Sequence, residues 1–118
     1  MCGIAGEIDF GRDIQKDRLP YYIDMQNTLN NRGPDQKGVY SDNTAALIHT
    51  RLCVIDPEKG TQPMSLNTDG RELVLLYNGE LYNTKELRGE LKSLGHSFIG
   101  HSDTEVVLHS FAQWEDKC

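Results

Sequence analysis

Short apolar or β-branched runs recur along the chain and predict β-strands. Four strong runs lie at 3–8, 45–49, 52–55 and 73–77, and a weaker run covers 37–40. Each run has the length of an ordinary strand, and turn-forming Gly, Pro and Asn residues separate the runs from their neighbours. The pattern therefore predicts a β-sheet component.

The first of three predicted helices runs from Asp17 to Asn30. Its apolar residues recur at mixed three- and four-residue steps, which is the spacing of one helix face. Pro20 is compatible only with the first turn of such a helix. The turn sequence NRGPD follows and is expected to end it.

Two more helices are predicted in the second half of the chain. One begins at Thr84, a candidate N-cap, and ends at Gly95, because glycine readily adopts the left-handed conformation that ends helices. The other begins with SDTE, where Ser102 and Glu105 have the spacing of a capping box. Strands and helices together predict an α+β fold.

Length, composition and charge exclude several classes of protein. With 118 residues, of which 37% are hydrophobic and 25% charged, the chain fits one globular domain with one core. The net charge of -6 and the scattered Lys and Arg residues argue against nucleic-acid or anionic-membrane binding. Neither a membrane-spanning run nor a signal-peptide pattern is present, which favours a cytoplasmic location. Cys2, Cys53 and Cys118 form no CxxC pair and are expected to be reduced.

Cys2 is the first candidate for chemistry. If Met1 is removed, Cys2 carries both a thiol and a free α-amine, whose reference pKa is about 7.7–8.0. That amine can take the thiol proton directly or through a water, which activates the nucleophile. With Met1 retained, the same nitrogen is an amide without basicity. The alternative, from position alone, is that Cys2 is a small apolar strand residue.

Six motifs follow one another in an order that resembles a known family. They are MCGIAG, NRGPDQKG, HTRL, QPM, YNGELYN and HSDTE. Together they resemble the glutamine amidotransferase domain of the N-terminal-nucleophile hydrolases, and in particular the glutaminase domain of glutamine-dependent asparagine synthetases. RGPD and YNGELYN favour that branch over the sugar-phosphate amidotransferases and amidophosphoribosyltransferases. The resemblance extends from Cys2 to about Trp114 and implies a four-layer α/β/β/α sandwich.

The resemblance implies three catalytic residues. Cys2 would attack the side-chain amide of glutamine, giving a γ-glutamyl thioester and ammonia. Asn78 would donate its side-chain N–H, and Gly79 its backbone N–H, to the tetrahedral oxyanion, just after the predicted strand 73–77. The alternative for Asn78 and Gly79 is a hairpin turn, which is the more common meaning of this dipeptide.

The resemblance also implies a binding site for the carboxylate end of the substrate. Arg51 would bind the α-carboxylate, because its planar fork of donors suits a carboxylate bidentately. The backbone of Leu52, Val54 and Ile55 would border the same pocket. The alternative is that Arg51 is a strand-end arginine in solvent.

Two acidic residues would bind the other end of the substrate. Glu80 and Asp103 would pair with the α-ammonium, which would select free glutamine over a peptide-bound one. Asp103 has a strong alternative, because the first position of a helix favours an acidic side chain through the helix dipole.

Other polar residues are expected to have no catalytic role. Residues 32–35, RGPD, are expected to be structural or to line the pocket. His49 and His101 have no partner at a metal-ligand spacing, so no metal is expected. Cys53 is expected to be a buried strand residue.

The resemblance sets expectations for extent and partners as well. Family members continue through further strands, a GRD loop and a second sheet face into a nucleotide-binding synthetase domain. Residues 1–118 are therefore expected to be the N-terminal part of a single domain, incomplete at the C-terminal side.

L-glutamine is the expected substrate, and an ammonia-accepting synthetase domain or subunit is the expected partner. A homo-oligomer is compatible with the sequence. No cofactor is expected in this chain, since ATP and Mg²⁺ belong to the synthetase part. The alternative function is a catalytically incomplete remnant, or a glutamine-binding or interaction module, of the same fold.

Overall fold

The structure is a computed structural model that describes residues 1–14 and 18–118, in two compact units. The first unit contains 1–53, 61–63 and 76–78, and the second contains 54–60, 64–75 and 79–118. Strands and helices occur together, which confirms the mixed α and β composition. In chain order the elements are β1 (Gly3–Ile8), α1 (Leu19–Thr28), β2 (Gln36–Ser41), β3 (Ala45–Arg51), β4 (Met64–Thr68), β5 (Arg71–Leu75), α2 (Thr84–Ser93) and α3 (Asp103–Trp114), followed by a 3₁₀ turn at Glu115–Lys117.

The first unit is built on a three-stranded antiparallel sheet in the order β1-β3-β2. Side chains of a strand point alternately to the two faces of its sheet. On one face, Ala46 and Ile48 of the central strand are fully buried and pack with Tyr22 of α1 and with Ile14. This cluster is the hydrophobic core of the unit.

The segment 61–63 covers part of the opposite face of the same sheet. A Cβ atom at Gly38 of β2 would lie 1.8 Å from the backbone oxygen of Gln62, so only glycine permits this approach. Gly38 pairs with His49 of β3. The segment 61–63 therefore lies directly over Gly38.

The second unit combines a hairpin with two helices. β4 and β5 pair antiparallel, and Asp69 and Gly70 join them with φ values of 50° and 74°. Positive φ at both central residues is the requirement of the tight hairpin turn that Asp-Gly favours. α3 packs against α2 and against the hairpin. The buried apolar side chains of this unit are Leu91 of α2 and Val106 and Leu108 of α3.

Two predicted strands need correction. Residues 52–55 are irregular, because the chain leaves the sheet after Arg51 and the Asp35 carboxylate accepts the Cys53 N–H at 2.7 Å. The strand predicted at 73–77 is Arg71–Leu75, since its pairing with β4 ends at Leu75. The sequence prediction also missed β4, although the Asp-Gly turn after it is a strong hairpin signal.

The helix predictions are confirmed with small shifts of their ends. The predicted start of the first helix at Asp17 lies outside the described residues, and α1 begins at Leu19 with Pro20 in its first turn. α2 has Asn83 at its N-cap position rather than Thr84. It ends before Gly95, whose φ of 98° is left-handed as predicted. Ser102 is the N-cap of α3.

Candidate active site

Cys2 lies at the end of the sheet where β3 exits. Gly3 pairs with Thr50, so Cys2 adjoins the last residue of β3. The half-buried Cys2 thiol donates a weak hydrogen bond to the carbonyl of Leu52 at 3.8 Å. Its own carbonyl accepts a hydrogen bond from Nε of Arg32 at 3.1 Å. These contacts hold the thiol of Cys2 beside the C-terminal end of β3.

Arg51 is buried at this same end of the sheet, with 5% of its surface exposed. It pairs with Gln36 of β2 in the strand register, and its Nη1 donates to Oε1 of Gln36 at 2.8 Å. A solvent-exposed strand-end arginine, the alternative considered from the sequence, is therefore wrong. The guanidinium group of Arg51 lies within the first unit together with Cys2.

The RGPD loop at 32–35 supports the exit of β3. A Cβ at Gly33 would lie 2.4 Å from the carbonyl carbon and oxygen of Thr50, so the loop backbone is in close contact with the strand. Asp35 donates its N–H to the Arg51 carbonyl at 3.0 Å, and its carboxylate accepts the Cys53 N–H. These contacts fix the backbone on both sides of Arg51.

Asn78 and Gly79 lie in an irregular stretch between β5 and α2. Neither has positive φ, which the tight hairpin turn requires at both central residues. The chain continues into a helix rather than into a partner strand. The hairpin-turn alternative for this dipeptide is therefore wrong, and Asn78 lies three residues beyond the end of β5 at Leu75.

Two residues without a predicted role contact the backbone next to Asn78. The Tyr77 N–H donates to Oε1 of Gln62 at 2.6 Å. The imidazole of His49 forms a hydrogen bond with the Tyr77 backbone. The signals for these residues were present, because Gln62 begins the QPM motif and His49 begins the HTRL motif. Neither motif reveals the contact, which depends on residues distant in sequence.

Burial lowers the pKa of His49, and the neighbouring Arg51 charge lowers it further. The hydrogen bond to Tyr77 acts in the opposite direction. Because burial is the largest effect, the imidazole of His49 is neutral at neutral pH.

The predicted partners of the α-ammonium group lie in the second unit. Asp103 is the first residue of α3 and is 9% exposed. Its carboxylate accepts hydrogen bonds from the N–H groups of Thr104 at 2.9 Å and Leu81 at 3.2 Å. Glu80, which is exposed, directly precedes Leu81. The structure therefore brings Glu80 and Asp103 close together.

An ion pair between Arg88 and buried Glu105 fixes the loop before α3. The Glu105 carboxylate accepts the N–H groups of Ile99 at 2.6 Å and Gly100 at 2.9 Å. Arg88, 4.0 Å from that carboxylate, donates to the carbonyls of Gly100 and Ser102. Ser102 accepts the Glu105 N–H, so half of the predicted capping box is present, while the Glu105 side chain binds the preceding loop instead.

Leu52, Val54 and Ile55 were predicted to act through their backbone. All three lie in the irregular segment after β3, and their side chains are exposed. Leu52 belongs to the first unit and the other two to the second. Their contribution to a pocket stays a prediction.

Neither a metal-binding cluster nor a membrane-spanning helix occurs among residues 1–14 and 18–118. Within these ranges, no three His, Cys, Asp or Glu side chains are grouped so that they could hold a metal ion. Within the same ranges, every helix is too short or too polar to cross a membrane.

Comparison with known proteins gives a family for the chain. The glutamine amidotransferase domain family matches residues 1–118. The glutamine-hydrolyzing asparagine synthetase 3 of Bacillus subtilis (strain 168) is 44% identical over 118 residues, which are 100% of this chain and 19% of that protein. The glutamine-hydrolyzing asparagine synthetase 1 of Arabidopsis thaliana is 40% identical over 114 residues, 97% of this chain and 19% of that protein.

A probable glutamine-hydrolyzing asparagine synthetase of Dictyostelium discoideum is 38% identical over 118 residues, which are 99% of this chain and 20% of that protein. The chain thus spans about a fifth of the length of the curated relatives it matches. The family match extends over every residue of the chain. The chain therefore belongs to the glutamine amidotransferase domain family.

Proposed function

We propose that this chain is the glutamine-hydrolysing part of an asparagine synthetase-like amidotransferase. It releases ammonia from glutamine through a γ-glutamyl thioester on Cys2. One observation carries the proposal: the Cys2 thiol lies at the C-terminal end of β3, 3.8 Å from the Leu52 carbonyl and next to buried Arg51. A nucleophile and a carboxylate-binding cation thereby share one end of one sheet.

The proposed reaction begins with the Cys2 thiolate. Met1 is removed, and the freed α-amine of Cys2 takes the thiol proton. Met1 is 74% exposed, so an aminopeptidase can reach it. The thiolate attacks the amide carbon of glutamine. The α-ammonium of Cys2 then returns its proton to the leaving nitrogen, and the tetrahedral intermediate loses ammonia. Water then hydrolyses the thioester, which gives glutamate and restores the thiol.

Asn78 and Gly79 stabilise the negative charge that develops on the amide oxygen. The side-chain N–H of Asn78 and the backbone N–H of Gly79 donate to this oxygen, whose charge is greatest in the tetrahedral state. Two observations support this role. The side chain of Asn78 is exposed, and the backbone around it is irregular, so the Gly79 N–H is not used in a strand ladder.

The charged ends of the substrate are held by three side chains. Arg51 binds the α-carboxylate, while Glu80 and Asp103 bind the α-ammonium. The hydrogen bond between the Leu81 N–H and the Asp103 carboxylate supports a shared role of the two acids, since it connects their segments. The backbone of Leu52, Val54 and Ile55 borders the same pocket.

No metal or organic cofactor takes part in this half-reaction. ATP and Mg²⁺ are needed only by an ammonia-accepting synthetase domain or subunit. A reducing compartment such as the cytoplasm suits a half-buried catalytic thiol. We further propose that the sheet of the first unit forms part of a four-layer α/β/β/α sandwich, whose second sheet covers the half-exposed Ile4 and the exposed Ile8.

The alternative is a glutamine-binding module of the same fold that does not complete the reaction. One experiment separates the two functions. The chain is treated with an electrophilic glutamine analogue, such as a diazoketone, and intact mass and peptide mapping locate the label. Ammonia release from glutamine is measured in parallel.

We expect the label on Cys2 in chains that have lost Met1, with protection by free glutamine. Cys118 is the internal control, because it is exposed yet should stay unlabelled, and half-buried Cys53 should stay unlabelled as well. Labelling of all three cysteines alike would mean that no assembled site exists. Glutamine protection without ammonia release would favour the binding module.

A further inference from the structure

We propose that Gln62 and His49 act as positioning residues that hold the Tyr77 backbone and thereby orient Asn78. We call these two side chains, with the Tyr77 backbone between them, the Tyr77 clamp. The inference rests on the proposed function, because it assigns the clamp to the oxyanion donor of that reaction. All four residues belong to the first unit.

Gln62 holds the N–H side of Tyr77. Its Oε1 accepts the Tyr77 N–H at 2.6 Å, and the residue is 8% exposed. The backbone of Gln62 is itself fixed, because it lies so close to Gly38 that no Cβ fits between them. The amide acceptor of Gln62 is therefore presented from a rigid position on the sheet.

His49 holds the other side of the same residue. The hydrogen bond between its imidazole and the Tyr77 backbone favours the protonated ring, which is the effect of a ring N–H that donates to a carbonyl. His49 lies on the central strand, paired with both Ile4 and Gly38, and is 1% exposed. The Tyr77 carbonyl is thus bound by a side chain that has little freedom to move.

A histidine at position 49 has a free-energy cost, which comes from its second ring nitrogen. Among residues 1–14 and 18–118, Nε2 of His49 has no hydrogen-bond partner although it is buried. A buried polar atom without a partner is costly, and an apolar side chain of similar size would avoid that cost. The contact with Tyr77 gives a reason for an imidazole at this position.

The clamp reaches Asn78 through the geometry of the peptide bond. The carbonyl of Tyr77 and the N–H of Asn78 belong to one planar unit. Fixing the carbonyl therefore fixes the plane from which the Asn78 side chain departs. His49 and Arg51 are two residues apart on β3, so they lie on the same face of the sheet. One strand then supports both the carboxylate-binding residue and the oxyanion donor.

The test is steady-state glutamine hydrolysis by the full chain and its variants. We expect His49→Leu and Gln62→Leu to lower kcat by about 10- to 100-fold, because small displacements of a catalytic group have effects of this size. KM should change by less than about twofold, since the ends of the substrate are bound elsewhere. His49→Asn should recover most of kcat, because its amide N–H can replace the ring N–H.

A double-mutant cycle separates positioning from general destabilisation. If His49 acts through Asn78, then His49→Leu should not lower kcat further in an Asn78→Ala background. Exchange of the Tyr77 amide proton, measured by NMR, should become faster in Gln62→Leu. The matched controls are His96→Leu and Gln113→Leu, which remove a hydrogen-bonded histidine and glutamine from the second unit.

Multiplicative losses in the double variant, or an unchanged exchange rate of the Tyr77 amide, would overturn the clamp. The clamp would also be overturned if the wild-type chain hydrolyses glutamine and the His49→Leu and Gln62→Leu variants keep the same kcat. That result would leave the proposed function intact. A wild-type chain that neither labels at Cys2 nor hydrolyses glutamine overturns the proposed function, and this inference with it.

Discussion

Two charged residues of this protein, Arg51 and Asp103, are buried rather than exposed on the surface. Arg51 and Asp103 are 5% and 9% exposed, and each side chain forms hydrogen bonds that restrict its orientation. Charged groups are rarely buried without such partners, because desolvation is costly. A ligand that binds either residue would therefore meet an oriented charge and would not have to order it.

The roles proposed for Asn78 and Arg51 predict opposite kinetic effects. Asn78→Ala should lower kcat by about 10²–10³ with little change in KM, because an oxyanion donor acts mainly in the transition state. Arg51→Lys should raise KM, because the α-carboxylate is charged before and after the reaction. Steady-state kinetics of glutamine hydrolysis measures both effects.

Circular dichroism is the control for this pair, since Arg51 is buried and its replacement can disturb the fold. If Asn78→Ala changed only KM while Arg51→Lys changed only kcat, the oxyanion donor and the carboxylate clamp would have been assigned the wrong way round. Full activity in both variants would show that neither Asn78 nor Arg51 has the role proposed for it.

Among the elements, α3 depends on a carboxylate that binds the loop before it. The Glu105 side chain accepts two backbone N–H groups, from Ile99 and Gly100, and is 6% exposed. Glu105→Gln should lower the free energy of unfolding by about 1.5–3 kcal/mol, because hydrogen bonds to a charged acceptor are lost and an amide N–H faces a backbone donor. Urea denaturation measures the change.

The matched control for this substitution is Glu90→Gln on α2, where the side chain is exposed. It should change the free energy of unfolding by less than about 0.5 kcal/mol. Equal effects of the two substitutions would mean that the loop contacts of Glu105 add nothing to the stability of the fold.

For the molecule as a whole, two buried histidines predict a loss of stability on acidification. Burial lowers the pKa of His49. Burial also lowers the pKa of His109, and the neighbouring His96 and Arg88 lower it further, while the Glu105 charge acts in the opposite direction. The unfolded chain takes up protons below about pH 6.5, while the folded chain resists them. The free energy of unfolding should therefore fall as the pH decreases from about 6.5 to the lowered pKa values.

The combined variant His49→Asn and His109→Gln should show a shallower pH dependence between about pH 6.5 and 5, because the groups that cause it are absent. Urea denaturation at several pH values measures the slope. His101→Gln is the control, since His101 is exposed. A wild-type slope in the combined variant would show that other groups cause the acid sensitivity.

Local pattern was enough to predict several elements of the fold. β1 was predicted at its observed residues, α2 begins and ends within two residues of its predicted signals, and α3 begins directly after the predicted cap Ser102. A capping serine or a glycine after a helix acts on its immediate neighbours, so its effect can be predicted from sequence. The strand predicted at 52–55 was wrong, because a strand needs a partner strand. The Cys53 N–H is bound by the Asp35 carboxylate instead.

The candidate site shows the same division between local and tertiary information. The sequence by itself determined the family and the identity of the candidate residues, since ordered motifs carry both. Only the tertiary structure decided that Arg51 is buried, that Asn78 and Gly79 are not a hairpin turn, and that His49 and Gln62 contact the same backbone. The contact of His49 with Tyr77 joins residues 28 positions apart. No local propensity encodes such a pairing, because its free energy depends on the burial and register of the whole sheet.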